Sequence, residues 1–317
     1  MINKNLETDI LYEICIGIDA DISKIQMFLL ENKTSEVMEG FMGKLAANRM
    51  CGMAYDFLRT NCLLTELMRE YRTVLEAVYY QGVHKNRLYE NEVKKIAEVF
   101  AENNIEYVAL KGAYLMKLYP DGVRTSNDLD ILTTRESVSG ISSVLKQMGY
   151  EQGFIRNEKF VPAGRSEIIN AMMNRGETIP FVKYIGNDAL KFMEIDINLS
   201  LNESPNETQE TVKQMLSCRE KIKYSDNTEI YILQKADFLI QLCVHYYKEA
   251  TNESWIARGM DKTLYKLMDI YLFCKNEMNK DFSEKFREKV KKYGLEKECR
   301  YTINIVYKIW GFPKIDI

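Results

Sequence analysis

Residues 110–132 read LKGAYLMKLYPDGVRTSNDLDIL, and they carry the clearest structural signal in the chain. An apolar run ends in a Lys-Gly pair, a lone arginine precedes a short polar patch, and Asp128 and Asp130 flank one leucine in an otherwise apolar segment. Side chains two residues apart on a strand project to the same side, so the two carboxylates would lie together. Burying two unpaired carboxylates is costly. The stretch therefore predicts a cation at these aspartates.

The segments around this stretch alternate between helical and strand patterns. Residues 86–103 carry apolar residues at helical spacing, and EYVALK then has strand character. Gly112 interrupts that strand, and residues 113–119 fit a short helix. DLDILTT is a second strand, followed by a helix that ends at Gly149. This order predicts strands and helices packed around one sheet.

A third strand bearing carboxylates follows a hairpin. FVKYI and ALKFMEIDINLSL flank GND, a strong signal for a tight turn between two strands. In the second arm Glu194, Asp196 and Asn198 fall on one face, and the apolar residues between them fall on the other. Asp196 is therefore placed to join the first two aspartates.

The rest of the chain has helical periodicity on both sides of this core. Apolar residues recur every three or four positions from Ile10 to about Tyr80, and again beyond the polar, proline-containing LNESPNETQE. We expect an α+β protein with three regions: a helical N-terminal region (1–85), a mixed-sheet core with helices (86–203) and a helical C-terminal domain (204–317).

Composition excludes several classes of function. With 43 basic and 46 acidic side chains the net charge is −3, which gives no global footprint for nucleic acid. Only His84 and His245 are present, and the seven cysteines are scattered, so histidine-rich or cysteine-rich metal sites are disfavoured. No segment has the length and apolarity of a membrane span or a signal peptide, so we expect a cytoplasmic protein without a membrane partner.

Magnesium is the cation that suits this acidic pattern. It prefers carboxylate and phosphate oxygens, and two such ions can hold a nucleoside triphosphate, activate an attacking oxygen and stabilise departing pyrophosphate. We expect two magnesium ions held by Asp128, Asp130 and Asp196, the three candidate catalytic residues. The alternative is that the Asp-x-Asp pair lies on an exposed strand face and has no function.

These residues resemble a known family. LKGAYLMKLYPDGVRTSNDLDIL is similar to the leading motif of a bacterial uncharacterised nucleotidyltransferase family of the DNA polymerase beta superfamily, and EIDINLSL resembles its third acidic strand. LIQLCVHYYKEA and LYKLMDIYL resemble its later helices, so the likeness spans about residues 86–274. It implies a nucleotidyltransferase-fold core and an enzyme that moves a nucleoside monophosphate from a nucleoside triphosphate to an acceptor hydroxyl.

Further residues are candidates for nucleotide binding. The glycine after the first strand would let the backbone approach a phosphate, and the nearby cations would hold phosphate oxygens. The histidine and aspartate of the later helices would either line the nucleotide cleft as a pair or simply tie two helices together. The candidates are Lys111, Gly112, Arg124, Ser126, His245 and Asp269.

Two departures from the superfamily pattern keep other functions open. Ala113 stands where a serine is usual after the glycine, and Asn198 stands where the third strand usually carries histidine. One alternative is therefore a non-catalytic nucleotide-binding or interaction protein that retains the fold. Another is toxin-like transfer to RNA or protein. The net acidity favours a small-molecule acceptor over nucleic acid, and the sequence does not identify that acceptor.

Overall fold

The structure, a computed structural model, describes residues 6–174, 176–201, 209–259 and 263–317. The helices within these ranges are α1 (Leu6–Ile16), α2 (Ile22–Glu31), α3 (Glu36–Ala47), α4 (Cys51–Thr60), α5 (Arg69–Glu102), α6 (Gly112–Leu115), α7 (Val138–Gln147), α8 (Arg165–Asn174), α9 (Gln209–Ser217), α10 (Lys235–Thr251), α11 (Glu253–Ala257), α12 (Leu264–Glu277), α13 (Lys280–Tyr293) and α14 (Glu296–Trp310). The strands are β1 (Val108–Ala109), β2 (Asp128–Leu132), β3 (Glu151–Arg156), β4 (Lys159–Pro162), β5 (Phe181–Tyr184), β6 (Phe192–Asn198), β7 (Glu220–Ser225) and β8 (Thr228–Ile232).

In the described part of the chain these eight strands form one mixed sheet in the order β4-β3-β5-β6-β2-β1-β8-β7. β2 lies between β6, to which it is parallel, and β1, to which it is antiparallel. β1 and β8 are also parallel, and the other neighbours pair antiparallel. The predicted α+β class, a mixed sheet with many helices, is confirmed.

The alternation in β6 determines which side chains face the core. Met193, Ile195 and Ile197 are fully buried, and the polar residues between them are partly exposed. Because side chains alternate along a strand, the polar residues share the opposite face. The hairpin predicted around GND is confirmed, since β5 and β6 pair antiparallel on either side of it.

Helix α5 joins the N-terminal helices to the sheet. It runs for 34 residues without a break, so it is about 50 Å long at ~1.5 Å per residue. Its buried residues recur at helical spacing along one stripe and include Leu75, Tyr79, Tyr89, Val93 and Phe100. The region boundary expected between residues 85 and 86 falls inside this helix.

The C-terminal region differs from the wholly helical domain expected for residues 204–317. β7 and β8 form a hairpin that joins the sheet through β1. Thr228, Ile230 and Ile232 of β8 are buried and alternate with more exposed residues, which is the pattern of a strand with one face on the core. The boundary expected at residues 203 and 204 lies outside the described residues.

The helices after the sheet pack around α10, most of whose residues are buried. α10 contacts α12, α13 and α14, and Phe238 of α10 stacks on Phe273 of α12 with ring centroids 5.2 Å apart. This packing fixes the side of α10 and α12 that faces the sheet. No helix in the described ranges is both long and apolar enough to cross a membrane.

Candidate active site

Two neighbouring strands bring the acidic residues together. In the parallel ladder of β2 and β6, Asp130 lies opposite Asp196, and Asp128 lies opposite Glu194. Strands in a sheet are about 4.8 Å apart, and all four residues occupy the face that the apolar residues leave free. The predicted grouping of Asp128, Asp130 and Asp196 is therefore what the structure shows.

Asp128 is held by two hydroxyl groups. The Ser126 hydroxyl donates a short hydrogen bond to the Asp128 carboxylate, and the Tyr89 hydroxyl donates to the Asp128 carbonyl oxygen at 3.0 Å. Ser126 in turn requires Gly112, because a Cβ at position 112 would lie 3.0 Å from Oγ of Ser126. The glycine predicted to admit a phosphate thus makes room for a serine. The helix that it begins, α6, has only four residues.

Lys111 neutralises one of the aspartates. Its Nζ lies 2.8 Å from Oδ1 of Asp130, and both side chains are largely buried. Burial acts to lower the pKa of Lys111, but the charge and hydrogen bond of Asp130, together with the charges of Asp128 and Asp196, raise it. The pKa of Asp130 is raised by burial and by Asp128, although Lys111 opposes both. For Asp196, burial and repulsion from Asp130 and Asp128 raise the pKa well above its usual range.

The three aspartate side chains are not oriented together as ligands of one metal ion. Among the residues that the structure describes, no group of three or more His, Cys, Asp or Glu side chains is arranged to hold a metal ion. Asp130 is directed to Lys111, and Asp128 to Ser126. Glu194 is directed to the amide of Asn127, at 3.4 Å, and is not among the residues that line the cleft described below.

The loop that precedes β2 lies close against α5. A Cβ on Gly82 of α5 would lie 2.3 Å from the carbonyl oxygen of Gly122, and Gly122 itself has a φ of +77°. Both positions therefore need glycine. This close approach fixes the loop two residues before Arg124, at the wall of the site.

Most donors of Arg124 are already used. Its Nε donates to both carboxylate oxygens of Asp269 on α12, at 3.0 and 3.2 Å, and its Nη2 donates to Oδ2 at 3.1 Å. Its Nη1 donates to the carbonyl of Thr125 at 2.6 Å, and the hydroxyl of Tyr119 donates to Asp269 at 2.8 Å. Burial acts to lower the pKa of Arg124, but the charge and hydrogen bonds of Asp269 act in the opposite direction, and the pKa is raised. The ion pair thus ties the loop before β2 to α12.

The predicted pairing of His245 with Asp269 is wrong, since Asp269 is bound to Arg124. His245 instead faces Glu249, one turn along α10, with Nε2 3.4 Å from Oε1. Burial, followed by repulsion from Lys111, lowers the pKa of His245 well below its usual range. His245 is therefore a neutral imidazole at pH 7, and it lies on the cleft wall.

Lys266 of α12 completes this wall. Its ammonium contacts the Glu249 carboxylate, and it lies over the rings of Trp255 and Tyr265, at 5.3 and 5.6 Å from their centroids. Burial, with repulsion from Lys111, lowers its pKa to about 8 despite the contact with Glu249. Buried Glu249 thus lies between two nitrogen groups.

The predicted site residues, together with Glu249 and Lys266, line one cleft of about 530 Å³, a usual size for a ligand site. The acidic strands form one side, and α10 and α12 contribute basic and aromatic side chains to the other. The structure brings all nine predicted site residues to this cleft, and their catalytic, metal-binding and nucleotide-binding roles stay predictions. The nine are Lys111, Gly112, Arg124, Ser126, Asp128, Asp130, Asp196, His245 and Asp269.

Sequence reasoning missed several residues of the cleft. Arg49 comes from the N-terminal region, where the sequence suggested no role. Tyr265 lies in the segment noted for Asp269, and Trp255 lies in α11, a helix that the sequence analysis did not assign. Glu249 and Lys266 could have been identified from the sequence, because each is a charged residue among the apolar residues of a buried helix. Charged residues at such positions are typical of functional or paired sites.

Comparisons with known proteins agree with this geometry at the level of family. A search of curated proteins gives no significant match. Among solved structures, an antigenic nucleotidyltransferase-like protein from Paracoccidioides brasiliensis has 12% identity and a TM-score of 0.40, over 72% of this chain and 94% of that one. A likeness of that degree says nothing about substrate. The model of the family described as uncharacterised nucleotidyltransferase matches residues 38–311. The resemblance of the motifs is thus confirmed, and the chain belongs to the uncharacterised nucleotidyltransferase family.

Proposed function

We propose that this protein transfers a nucleoside monophosphate from a nucleoside triphosphate to an acceptor hydroxyl, with magnesium held by Asp128, Asp130 and Asp196. The observation that carries the proposal is the register of two central strands, which sets Asp130 opposite Asp196 and Asp128 one step away. The carboxylates of the three residues face a cleft large enough for a nucleotide.

The chemistry of these side chains fits magnesium. The pKa values of Asp130 and Asp196 are raised, by burial and by repulsion among the carboxylates, so a divalent cation would relieve an unfavourable concentration of charge. Asp130 would exchange its contact with Lys111 for the ion. When bound, magnesium would supply positive charge to the triphosphate and to the attacking oxygen.

The chain's own residues would position the reactants. Ser126 and Tyr89 hold Asp128 in place, and Lys111, once released from Asp130, would be free to hold a phosphate oxygen. Asp196 lines the cleft opposite Asp130, so one of its carboxylate oxygens would bind magnesium and the other would take the proton of the acceptor hydroxyl. The hydroxyl oxygen would bond to the α-phosphorus as the bond to pyrophosphate breaks.

The opposite wall would bind the remainder of the nucleotide. Lys266 provides a cation beside two aromatic rings, which suits a phosphate next to a stacked base. His245 is neutral and can donate or accept a hydrogen bond without adding charge. Arg124 is bound to Asp269 and therefore serves to fix the loop before β2 rather than to provide a free fork for phosphate.

Pyrophosphate release tests the proposal. The protein is incubated with magnesium, each of the four nucleoside triphosphates and a panel of hydroxyl-bearing acceptors that includes small alcohols, sugars, RNA and the protein itself. We expect pyrophosphate from wild type and none from Asp130→Asn. Glu194→Gln is the matched control, since its carboxylate lies outside the cleft.

Binding without turnover is the result that would contradict a transferase. If magnesium and triphosphate bind to the wild type but no acceptor yields pyrophosphate, the chain is a nucleotide-binding protein that retains the fold. The contact between Lys111 and Asp130 and the asparagine at position 198 are the features that favour this second function.

A further inference from the structure

Two cations from the N-terminal half of the chain lie beside the cleft. Arg49 lies in the turn between α3 and α4, and Lys85 lies in the middle of α5. Both line a small side pocket of about 70 Å³, which Arg124, Asn127 and Tyr265 share with the main cleft. The side pocket thus shares a wall with the cleft that contains the aspartates.

Neither Arg49 nor Lys85 forms an ion pair within the described residues. Arg124 is paired with Asp269 and Lys266 with Glu249, but no carboxylate of the described ranges forms an ion pair with Arg49 or Lys85. The guanidinium of Arg49 lies over the ring of Tyr265, 5.1 Å from its centroid.

The electrostatics of Lys85 agree with an anion beside it. Lys85 is partly buried, and burial lowers its pKa, although Asp128 opposes the effect. Repulsion from Arg49 and Arg124 lowers it further. Burial and the two neighbouring arginines thus outweigh the charge of Asp128, and a further negative ligand would stabilise the Lys85 ammonium.

We propose that Arg49 and Lys85 form a phosphate subsite, which binds a phosphoryl group in the side pocket next to the acidic strands. The pocket volume is several times the ~10–15 Å³ that one water requires, so a phosphate-sized anion fits. Arginine and lysine are the side chains that bind phosphate oxygens most often. The phosphoryl group belongs either to the acceptor or to the nucleoside triphosphate, and the chemistry of the subsite is the same for both.

The test measures binding of inorganic phosphate by calorimetry at low ionic strength with a chelator present. We expect Arg49→Gln and Lys85→Met each to weaken phosphate binding about tenfold or more, the effect of losing a charge-assisted hydrogen bond. Lys85→Arg keeps the charge and should keep the affinity. Arg87→Gln and Lys94→Met, on the same helix but outside both pockets, should bind phosphate like the wild type.

A second titration, with magnesium and ATP, identifies the source of the phosphate. If Arg49→Gln and Lys85→Met weaken ATP binding by the same factor as phosphate binding, the subsite holds the triphosphate. If ATP binding is unchanged, the subsite holds a phosphorylated acceptor. The proposal would be overturned if the wild type did not bind phosphate, or if Arg49→Gln and Lys85→Met bound it as tightly as the wild type. None of these readouts requires turnover, so they stand apart from the test of transferase activity.

Discussion

The ammonium of Lys111 lies 2.8 Å from Oδ1 of Asp130, whereas no side chain of the described residues forms an ion pair with Asp196 on the neighbouring strand. Lys111 also has a φ of +42°, a backbone conformation that costs roughly 1–3 kcal/mol for a residue with a side chain. The two neighbouring aspartates therefore affect the stability of the metal-free fold in opposite directions. Asp130 stabilises a buried cation, and Asp196 adds uncompensated negative charge.

Asp196→Asn should stabilise the metal-free protein, and Asp130→Asn should destabilise it. The first variant removes a repelling charge and should raise Tm by a few degrees. The second leaves the buried Lys111 without its partner, at a cost of roughly 3 kcal/mol. Thermal unfolding in chelator measures both. Equal shifts in the two variants would contradict the asymmetry.

The gain from Asp196→Asn should depend on pH with a definite sign. The folded pKa of Asp196 is raised above its unfolded value, so its ionised form destabilises the fold at neutral and alkaline pH. That penalty disappears as the pH falls through the folded pKa towards the unfolded value of about 4. The Tm difference between variant and wild type should therefore be largest at alkaline pH, above the folded pKa, and smallest near pH 4. Glu167→Gln, at an exposed carboxylate, is the control.

Asp196→Ala should abolish pyrophosphate release, and Glu194→Ala should keep a substantial part of it. Asp196 lies opposite Asp130 and lines the cleft, whereas Glu194 lies one step away and contacts Asn127. Loss of a metal ligand lowers rates on the order of a thousandfold or more. Rates of pyrophosphate release by the two variants, measured with saturating magnesium and triphosphate, test this expectation. An inactive Glu194→Ala beside an active Asp196→Ala would show that the other carboxylate serves the reaction.

Triphosphate affinity should fall as the pH rises through about 8, because Lys266 loses its proton in that range. Lys266→Arg keeps its charge at every accessible pH, so its affinity should stay nearly constant between pH 7 and 9. Titrations of ATP at a series of pH values test this. The same decline in both proteins would exclude Lys266 as its cause.

Gly112→Ala should displace Ser126 and weaken its hydrogen bond to Asp128. The added Cβ would lie 3.0 Å from Oγ and 3.2 Å from Cβ of Ser126, which is too close for both side chains to stay in place. We expect a loss of about 1–3 kcal/mol in unfolding free energy. Denaturant unfolding measures it.

A double variant identifies the cause of that loss. Ser126→Ala removes Oγ, so part of the penalty of Gly112→Ala should vanish in the double variant, with non-additivity of about 0.5 kcal/mol or more. Gly43→Ala, where a Cβ meets nothing within 4 Å, should be neutral or stabilising. Strict additivity would mean that the two residues do not compete for space.

Much of the central sheet and the acidic side of the cleft could be predicted because its signals are local. Alternation of polar and apolar residues in β6 assigns Asp196 to a face, and the GND turn fixes the hairpin register. Asp128 and Asp130 share a face for the same reason. These patterns depend only on residues close together in the sequence, and the structure agrees with them.

The remainder depends on contacts between residues far apart in the chain. Arg124 and Asp269 are 145 positions apart, and no local pattern pairs them, so the sequence suggested His245 as the partner instead. The β7–β8 hairpin did leave a local signal, strand-like alternation around Asp226-Asn227, which the surrounding helical periodicity obscured. Arg49 and Lys85 show no motif, because their proximity arises only when α5 packs on the loop at Gly122.

Helix α5 runs without a break from the N-terminal helices to the central sheet and connects them rigidly. Lys85 and Tyr89 lie one turn apart, about 6 Å along the same axis, so the proposed phosphate contact and the bond to the Asp128 carbonyl share a single rigid support. A protein shortened to begin at residue 86 would start in mid-helix without the packing of Leu75 and Tyr79. Limited proteolysis should therefore not cleave the chain between the N-terminal helices and the central sheet. Removing the first 85 residues should destroy the site rather than release an active core.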